Sequence, residues 1–106
     1  MIPHDDFKKL DIRIADVLEA REHPHADKLL ILSIAIGEER RQIVAGLKKD
    51  YAPDQLVGKK IVVLANLEPA MLRGVESQGM LLAASGDQGV ALLVPEKDVR
   101  SGAVVR

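Results

Sequence analysis

The residues best suited to metal chemistry are two histidines, His23 and His25, separated only by Pro24. Two imidazoles at this spacing can share a zinc ion, but a tetrahedral site needs a third and a fourth ligand. Asp27 lies two residues further on, and His4 is the only other histidine of the chain. The alternative is a polar turn around Pro24 whose imidazoles cap strand ends or face water. We favour the polar turn, and we predict no metal site and no cofactor.

Motifs typical of catalytic sites are missing from the chain. It has no glycine-rich phosphate loop, and Ser77 is not part of the Gly-x-Ser-x-Gly motif of a nucleophile elbow. The absence of cysteine excludes a disulfide framework and a thiolate zinc site. The sequence therefore predicts a protein without catalytic activity.

Three pairs of basic residues at predicted strand ends are candidate phosphate contacts: Arg40-Arg41, Lys48-Lys49 and Lys59-Lys60. Each pair alone is also typical of an ordinary solvated turn. The net charge is −1, whereas nucleic-acid binders usually carry a basic excess. Any binding to nucleic acid must therefore use a local basic face.

Phe7 and Tyr51 are the only aromatic residues. Proteins that bind single-stranded nucleic acid stack bases on exposed aromatic side chains. Two aromatics cannot build such a platform. A nucleic-acid role must then rest on backbone contacts and shape, which is how folded RNA is recognised.

The segment from Asn66 to Met80 brings together one asparagine, one arginine, one serine, one glutamine and a methionine that begins an apolar run. It can be a binding loop. Equally, Met80 can begin a core strand and Ser77 can satisfy a turn. The residues alone leave both interpretations open.

The length of 106 residues predicts one domain, residues 1–106. Apolar residues alternate with polar ones in short runs separated by turn residues at intervals of roughly 8–15 residues, as in antiparallel barrels. We count five or six strands and predict an all-β, five-stranded OB-fold barrel with short flanking helices and N- and C-terminal extensions. The predicted strands are 10–20 with a bulge near Asp16, 29–36, 41–46, 61–65, 79–84 and 90–94. The predicted turns and helical segments are a helix capped by Asp5 or Asp6 that runs through Leu10, a hairpin turn over 37–40, helical turns over 53–56 and 70–73, and a glycine-bearing loop over 85–89.

The N-terminus lacks the apolar core of a secretory signal, and no run of about 18 apolar residues is present. We therefore expect no membrane span, and we predict a cytoplasmic location.

Several blocks, in the same order along nearly the whole chain, resemble the tRNA-binding domain found at the C-terminus of many bacterial methionyl-tRNA synthetases. The same domain occurs in free-standing tRNA-binding proteins and in the endothelial-monocyte-activating polypeptide family. The matching blocks are residues 6–7, 10–14, 23–24, 26–29, 42–47, 57–60, 66–69, 73–84, 95–99 and Gly102.

The resemblance implies an OB-fold that forms a homodimer through its N- and C-terminal segments and binds the outer corner of tRNA. The implied function is structure-specific tRNA binding, as an accessory domain or β subunit that works with the catalytic part of methionyl-tRNA synthetase. The tRNA-contacting residues that it implies are Lys28, Asn66, Arg73, Ser77 and Met80, followed by Gln78 and Arg41.

Glu68 and Met71 stand where this family often carries lysines. Each lost phosphate contact lowers the salt dependence of binding by about one unit of slope. We therefore expect weak binding by the isolated domain, strengthened by dimerisation or by attachment to a synthetase. The alternatives are a protein-binding role, like that of the related secretion chaperone, and a purely structural dimerisation domain.

Overall fold

The computed structural model describes all residues from Met1 to Arg106. Strands dominate, and neither helix has the length or the apolar character that a membrane crossing requires. The elements in chain order are α1 (His4–Phe7), β1 (Ile12–Glu22), β2 (Leu30–Ile36), β3 (Glu39–Ala45), α2 (Pro53–Leu56), β4 (Lys60–Leu64), β5 (Ala70–Leu72), β6 (Val75–Ser77), β7 (Met80–Leu81), β8 (Ala83–Gly86), β9 (Gly89–Leu92) and β10 (Val104–Val105). The predicted all-β class is confirmed.

Strand β1 is the central strand of the main sheet. The strand order is β3-β2-β1-β4-β7, and β10 also pairs with β1. The first half of β1, Ile12–Asp16, pairs with β4, and its second half, Asp16–Glu22, pairs with β2. The register shifts between Val17 and Glu19. Such a bulge bends a strand and increases its twist, so that one strand can serve both walls of a curled sheet. The bulge predicted near Asp16 is therefore confirmed, and it lies between Val17 and Glu19.

Gln78 brings the two ends of the sheet together. It precedes β7, and its N–H donates to the carbonyl of Gln42 in β3 (2.8 Å). The Gln42 N–H in turn donates to the side-chain Oε1 of Gln78 (3.0 Å). The sheet thus curls into the OB-fold-like architecture that the sequence predicted.

The apolar residues of the sheet form two separate clusters. The first fills the inside of the curled sheet and consists of Ala15, Val17, Leu30, Leu32, Ile34, Ile43, Leu47, Leu56, Ile61 and Val63. The second lies on the opposite face of β1 and β4, because alternate residues of a strand point to opposite sides, and consists of Ile12, Ile14, Val62 and Leu64. Phe7 from α1 and Val99, Ala103 and Val105 from the C-terminal segment cover it.

The predicted start of the first helix is wrong. Helix α1 begins after Pro3, whose φ of −70° suits a residue that leads into a helix, and no side chain caps it. Asp5 and Asp6 lie within the first turn, where their charges favour the positive end of the helix dipole. The helix ends at Phe7 rather than at Leu10.

The helical turn predicted over Ala70–Arg73 is also wrong, since Ala70–Leu72 is strand β5. It pairs with β6 in the register Ala70↔Ser77 and Leu72↔Val75. The turn between them, Arg73-Gly74, has φ angles of 53° and 88°. These values belong to a two-residue type I′ turn, which joins antiparallel strands and cannot continue a helix.

The strand predicted over 79–84 is divided into β7 and β8 around Leu82, whose N–H donates to the carbonyl of Val62 (2.8 Å). The loop predicted over 85–89 is shorter than expected. Strands β8 and β9 pair up to Gly86↔Gly89, so that only Asp87 and Gln88 form the turn. Strand β9 ends at Leu92 rather than at Val94, and β3 begins at Glu39 rather than at Arg41.

Candidate nucleic-acid interface

The hairpin of β5 and β6 presents an exposed strand and an exposed tip to solvent. Leu72, Arg73 and Gly74 at its tip are all exposed to solvent. Arg73 is the only residue other than glycine with a positive φ. The left-handed conformation costs an L-residue roughly 1–2 kcal/mol. Such strain at an exposed charged residue is typical of functional sites.

The base of this hairpin is fastened to β3. The Gln42 side chain donates from Nε2 to the carbonyl of Glu76 (2.8 Å). The Ser77 hydroxyl accepts a hydrogen bond from the Val44 N–H (2.9 Å) and donates one to the Gly79 carbonyl (3.0 Å). Ser77 is only 4% exposed. Its hydroxyl therefore satisfies buried backbone groups and fixes where the hairpin leaves the barrel.

Arg73 reaches from the hairpin tip to the turn between β1 and β2. Its Nη2 donates to the carbonyl of His25 (3.3 Å). Lys28 lies in the same turn and is exposed. Neither Lys28 nor Arg73 forms an ion pair with a carboxylate. The two cations that the sequence selected are thus brought to neighbouring loops, where both remain able to pair with an anion.

Lys48 lies beside this turn, because its N–H donates to the carbonyl of Lys28 (3.4 Å). Its own ammonium group is engaged with Glu22, at 2.8 Å from Nζ to Oε1. The hydrogen bond that Lys48 donates to this carboxylate raises the pKa of Lys48 above its usual 10.5. Glu22 therefore compensates the charge of Lys48, whereas Lys28 has no such partner.

Asn66 is occupied at both ends of its amide. Its Oδ1 accepts a hydrogen bond from the Asp11 N–H (2.8 Å), and its Nδ2 donates to the Lys9 carbonyl (2.7 Å). The side chain thus holds the chain after β4 against the segment that leads into β1. Because the amide is exposed, its second N–H and the second lone pair of Oδ1 remain free for a ligand.

Arg41 is occupied as well. Its Nε lies 2.7 Å from the Glu39 carboxylate, and its Nη1 donates to the carbonyls of Ala65 and Gln78, the latter at 3.3 Å. The hydrogen bond from Arg41, followed by its charge, lowers the pKa of Glu39 below its usual 4.5. The guanidinium group thereby links β3 to the ends of β4 and of the 66–78 segment.

The predicted site residues thus fall into two groups. Lys28, Asn66, Arg73 and Met80 are exposed, with Met80 exposed by 47%. The side chains of Asn66, Ser77, Gln78, Arg41 and Arg73 bind backbone groups of their own chain, whereas Lys28 and Met80 form no side-chain hydrogen bond. Gln42 was not among the predicted site residues, although it begins the matching block 42–47, and its side chain also holds the hairpin in place.

An apolar groove of about 520 Å³ opens between the hairpin and the barrel. Met80 lies at this groove, and Glu68 is its only charged lining residue. Its hydrophobic lining includes Val44, Leu47, Leu67, Ala70, Leu72, Leu81, Leu82 and Val90. Met71, the second departure from the expected lysine pattern, is 65% exposed on β5. The face around the hairpin therefore combines cations with apolar surface.

The remaining basic residues of the three pairs lie elsewhere or are engaged. Lys60 donates from Nζ to Asp98 (2.8 Å) and to the carbonyl of Val99, which fastens the C-terminal segment to β4. Arg40 is exposed near the start of β3, and Lys49 and Lys59 are exposed in turns.

His23 and His25 do not form part of a metal cluster. No group of three or more His, Cys, Asp or Glu side chains is arranged to hold a metal ion. His23 is 5% exposed, and both of its ring nitrogens are hydrogen-bonded to backbone groups. The residues around Pro24 form a turn, as predicted.

Comparison with known proteins places this geometry in a family. A family described as a putative tRNA-binding domain matches residues 12–104. The methionine–tRNA ligase of Pyrococcus horikoshii is 53% identical over 105 residues, which are 99% of this chain and 14% of that protein. The methionine–tRNA ligase of Thermotoga maritima is 55% identical over 101 residues, which are 95% of this chain and 16% of that protein. The chain thus spans about a seventh of the length of these relatives.

Solved structures agree with this family at the level of the fold. A MetRS related protein from Pyrococcus horikoshii has a TM-score of 0.93 and 36% identity, covering 100% of this chain and 98% of that one. The chaperone CsaA from Bacillus anthracis has a TM-score of 0.90 and 31% identity, and the match covers 100% of this chain and 99% of that one. The match over residues 12–104 and the identity of about one half to methionine–tRNA ligases show that this chain belongs to the non-catalytic tRNA-binding domain family found in those enzymes.

Proposed function

We propose that this domain grips folded tRNA with the face formed by the β5–β6 hairpin and the turn between β1 and β2. Lys28 and Arg73 pair with backbone phosphates, and Met80 offers an adaptable apolar surface beside them. The observation that carries this proposal is the exposed, strained Arg73, held next to the turn of Lys28 without a carboxylate partner.

The other four predicted residues hold the elements of this face in position through hydrogen bonds to the backbone. Ser77 and Gln78 hold the end of the hairpin segment on β3, while Asn66 and Arg41 fix the point where it leaves β4. Recognition of shape requires such a fixed framework. Phosphate contacts carry no sequence information, so the spacing of the cations must match the spacing of the phosphates.

We propose that the domain forms a homodimer through the segments that cover the second apolar cluster. The cluster residues themselves are buried, but apolar side chains of the covering segments remain exposed. Val104, which is next to the covering residue Val105, is 51% exposed. Leu93, whose N–H bonds the carbonyl of Leu82 beside the cluster, is also exposed. A second copy of the chain would remove these groups from water, and two linked tRNA sites would raise avidity without new contacts.

The domain then serves as an accessory domain or β subunit of a methionyl-tRNA synthetase in the cytoplasm. Its relatives in whole methionine–tRNA ligases support this role. Glu68 and Met71 in place of lysines fit a module that adds affinity to a larger enzyme rather than one that captures tRNA alone.

A second candidate function is the binding of unfolded polypeptide. The apolar groove beside Met80 can accept apolar side chains, and CsaA chaperones from two organisms share the fold at TM-scores of 0.90 and 0.93. The groove carries a carboxylate, Glu68, whereas the cations lie on the loops around it. We therefore favour tRNA binding over the binding of unfolded polypeptide.

A binding competition tests the two candidates. Folded tRNA should bind more tightly than the same tRNA unfolded by heat and kept without magnesium, and a reduced, unfolded protein should not displace it. Equal affinity for folded and unfolded RNA would contradict recognition of shape. Displacement by unfolded protein would favour the chaperone function, and a dimer that binds neither would indicate a purely structural domain.

Sedimentation of the variant Val104→Asp tests the dimer. The wild type should sediment as a dimer and the variant as a folded monomer, because a charge replaces an apolar side chain at the contact. An exposed valine away from the cluster, Val57→Asp, is the matched control and should remain dimeric. A monomeric wild type at tens of micromolar would contradict the proposed dimer.

A further inference from the structure

His23 connects the two loops that carry the proposed tRNA contacts. It follows β1 directly, in the turn that also holds His25 and Lys28. Its Nδ1 accepts a hydrogen bond from the His25 N–H (3.0 Å), and its Nε2 lies 3.0 Å from the carbonyl oxygen of Leu72, at the end of β5. One imidazole thus bonds its own turn with one nitrogen and the tip of the hairpin with the other.

Both bonds require one protonation form of the ring. A carbonyl oxygen can only accept, so that Nε2 must carry a proton, and Nδ1 must keep its lone pair to accept the His25 N–H. The neutral imidazole with hydrogen on Nε2 is the only form that satisfies both bonds. The ring is buried, and loss of either bond would leave a polar group without a partner.

The hairpin tip depends on this contact. The base of the hairpin is bonded to β3 at Glu76 and Ser77. Between residues 67 and 75, the only other hydrogen bond to the rest of the chain runs from Arg73 itself to the His25 carbonyl. His23 is therefore the one side chain outside the hairpin that forms a hydrogen bond with its tip.

We propose that His23 is a positioning residue for tRNA binding, which holds Arg73 at a fixed place beside Lys28. This inference rests on the proposed function. A cation that is already in place loses less conformational freedom when it meets a phosphate, and this preorganisation raises affinity without a new contact. His23 itself touches no RNA.

Two substitutions separate the two bonds of the ring. In His23→Gln the amide nitrogen lies as many bonds from Cβ as Nε2 does, so it can still donate to the Leu72 carbonyl. In His23→Asn the amide oxygen corresponds to Nδ1, so that the bond to the His25 N–H survives and the bond to the hairpin is lost. The comparison tests the contact between the loops and not the mere presence of a histidine.

Measurement of tRNA affinity should show that His23→Gln binds like the wild type. His23→Asn should bind roughly two- to tenfold more weakly, the range that one hydrogen bond between uncharged groups supplies. In a background of Arg73→Ala, His23→Asn should cause almost no further loss, because the effect of His23 passes through Arg73. The exposed histidine His4 provides the control His4→Asn, which should bind like the wild type.

Nitrogen NMR of the imidazole rings gives a readout that does not depend on RNA. His23 should show a protonated Nε2 coupled through its hydrogen bond to the Leu72 carbonyl, and an unprotonated Nδ1. Wild-type affinity in a folded His23→Asn variant would overturn the proposal. So would equal losses with and without Arg73, which would indicate a general structural effect. If the wild type does not bind tRNA although the NMR signature is present, the proposed function fails, and the positioning role fails with it.

Discussion

Replacement of Ser77 by alanine separates support of the hairpin from direct contact with tRNA. The substitution removes the partner of two buried backbone groups, the Val44 N–H and the Gly79 carbonyl. A buried polar group left without its partner costs roughly 1–3 kcal/mol. We expect Ser77→Ala to lower the free energy of unfolding by about 2–3 kcal/mol, since some relaxation of β6 and β7 will recover part of the loss.

Urea unfolding at a fixed protein concentration measures this change, because the stability of a dimer depends on concentration. The control is Ser85→Ala in β8, whose side chain is exposed and makes no hydrogen bond; its effect should stay within about 0.5 kcal/mol. Under conditions where Ser77→Ala is fully folded, its tRNA affinity should fall by no more than about tenfold, or ~1.4 kcal/mol, because Ser77 acts on binding only through the position of the hairpin. A variant of unchanged stability that no longer binds tRNA would refute this reasoning and make Ser77 a direct contact.

Two further predictions concern the framework of the site. Gly79 has a φ of 139°, and a Cβ there would lie 3.1 Å from the Leu64 carbonyl oxygen, so that Gly79→Ala should destabilise the fold by about 1–3 kcal/mol. Gly46→Ala, where a Cβ would meet nothing within 4 Å, is its control, and equal denaturation midpoints for the two variants would contradict the prediction. The second prediction concerns Glu39, whose carboxyl should titrate below pH 4.5 because the hydrogen bond from Arg41 lowers its pKa. Its contribution to stability is therefore present above pH 4.5 and is lost as the pH falls through the lowered pKa. NMR titration should show the ordinary value in Arg41→Gln, and a Glu39 pKa that does not move in this variant would exclude Arg41 as the cause.

The strands of the barrel could be predicted from two patterns of apolar residues. In β1, Ile12 and Ile14 alternate with Arg13 and are buried in one cluster. Strand β2 is apolar nearly throughout and has buried residues on both faces, such as Ile31 and Leu32. The hairpin of β5 and β6 could not be predicted in this way. Its strands have three residues each, and Ala70, Met71 and Leu72 all favour helix by intrinsic propensity. Hydrogen bonds to β3 and the left-handed Arg73 override that preference.

The candidate site was predictable as a set of residues but not as an arrangement. The sequence selects Asn66 and Ser77 as polar groups in a loop. It does not show that their partners are Asp11 and Val44, which lie 55 and 33 residues away along the chain. For the same reason, His23 could be assigned to a polar turn, while its bond to Leu72, 49 residues away, requires the folded structure.

The salt dependence of tRNA binding tests most directly whether Lys28 and Arg73 form the tRNA-binding face. Each phosphate contact releases counterions, so the logarithm of the affinity falls linearly with the logarithm of the salt concentration. We predict that Lys28→Ala and Arg73→Ala each reduce this slope by about one unit, and that the double variant reduces it by about two. Lys97→Ala, an exposed lysine of the C-terminal segment, should keep the slope of the wild type. A double variant with the wild-type slope would contradict the proposed face, whatever its absolute affinity.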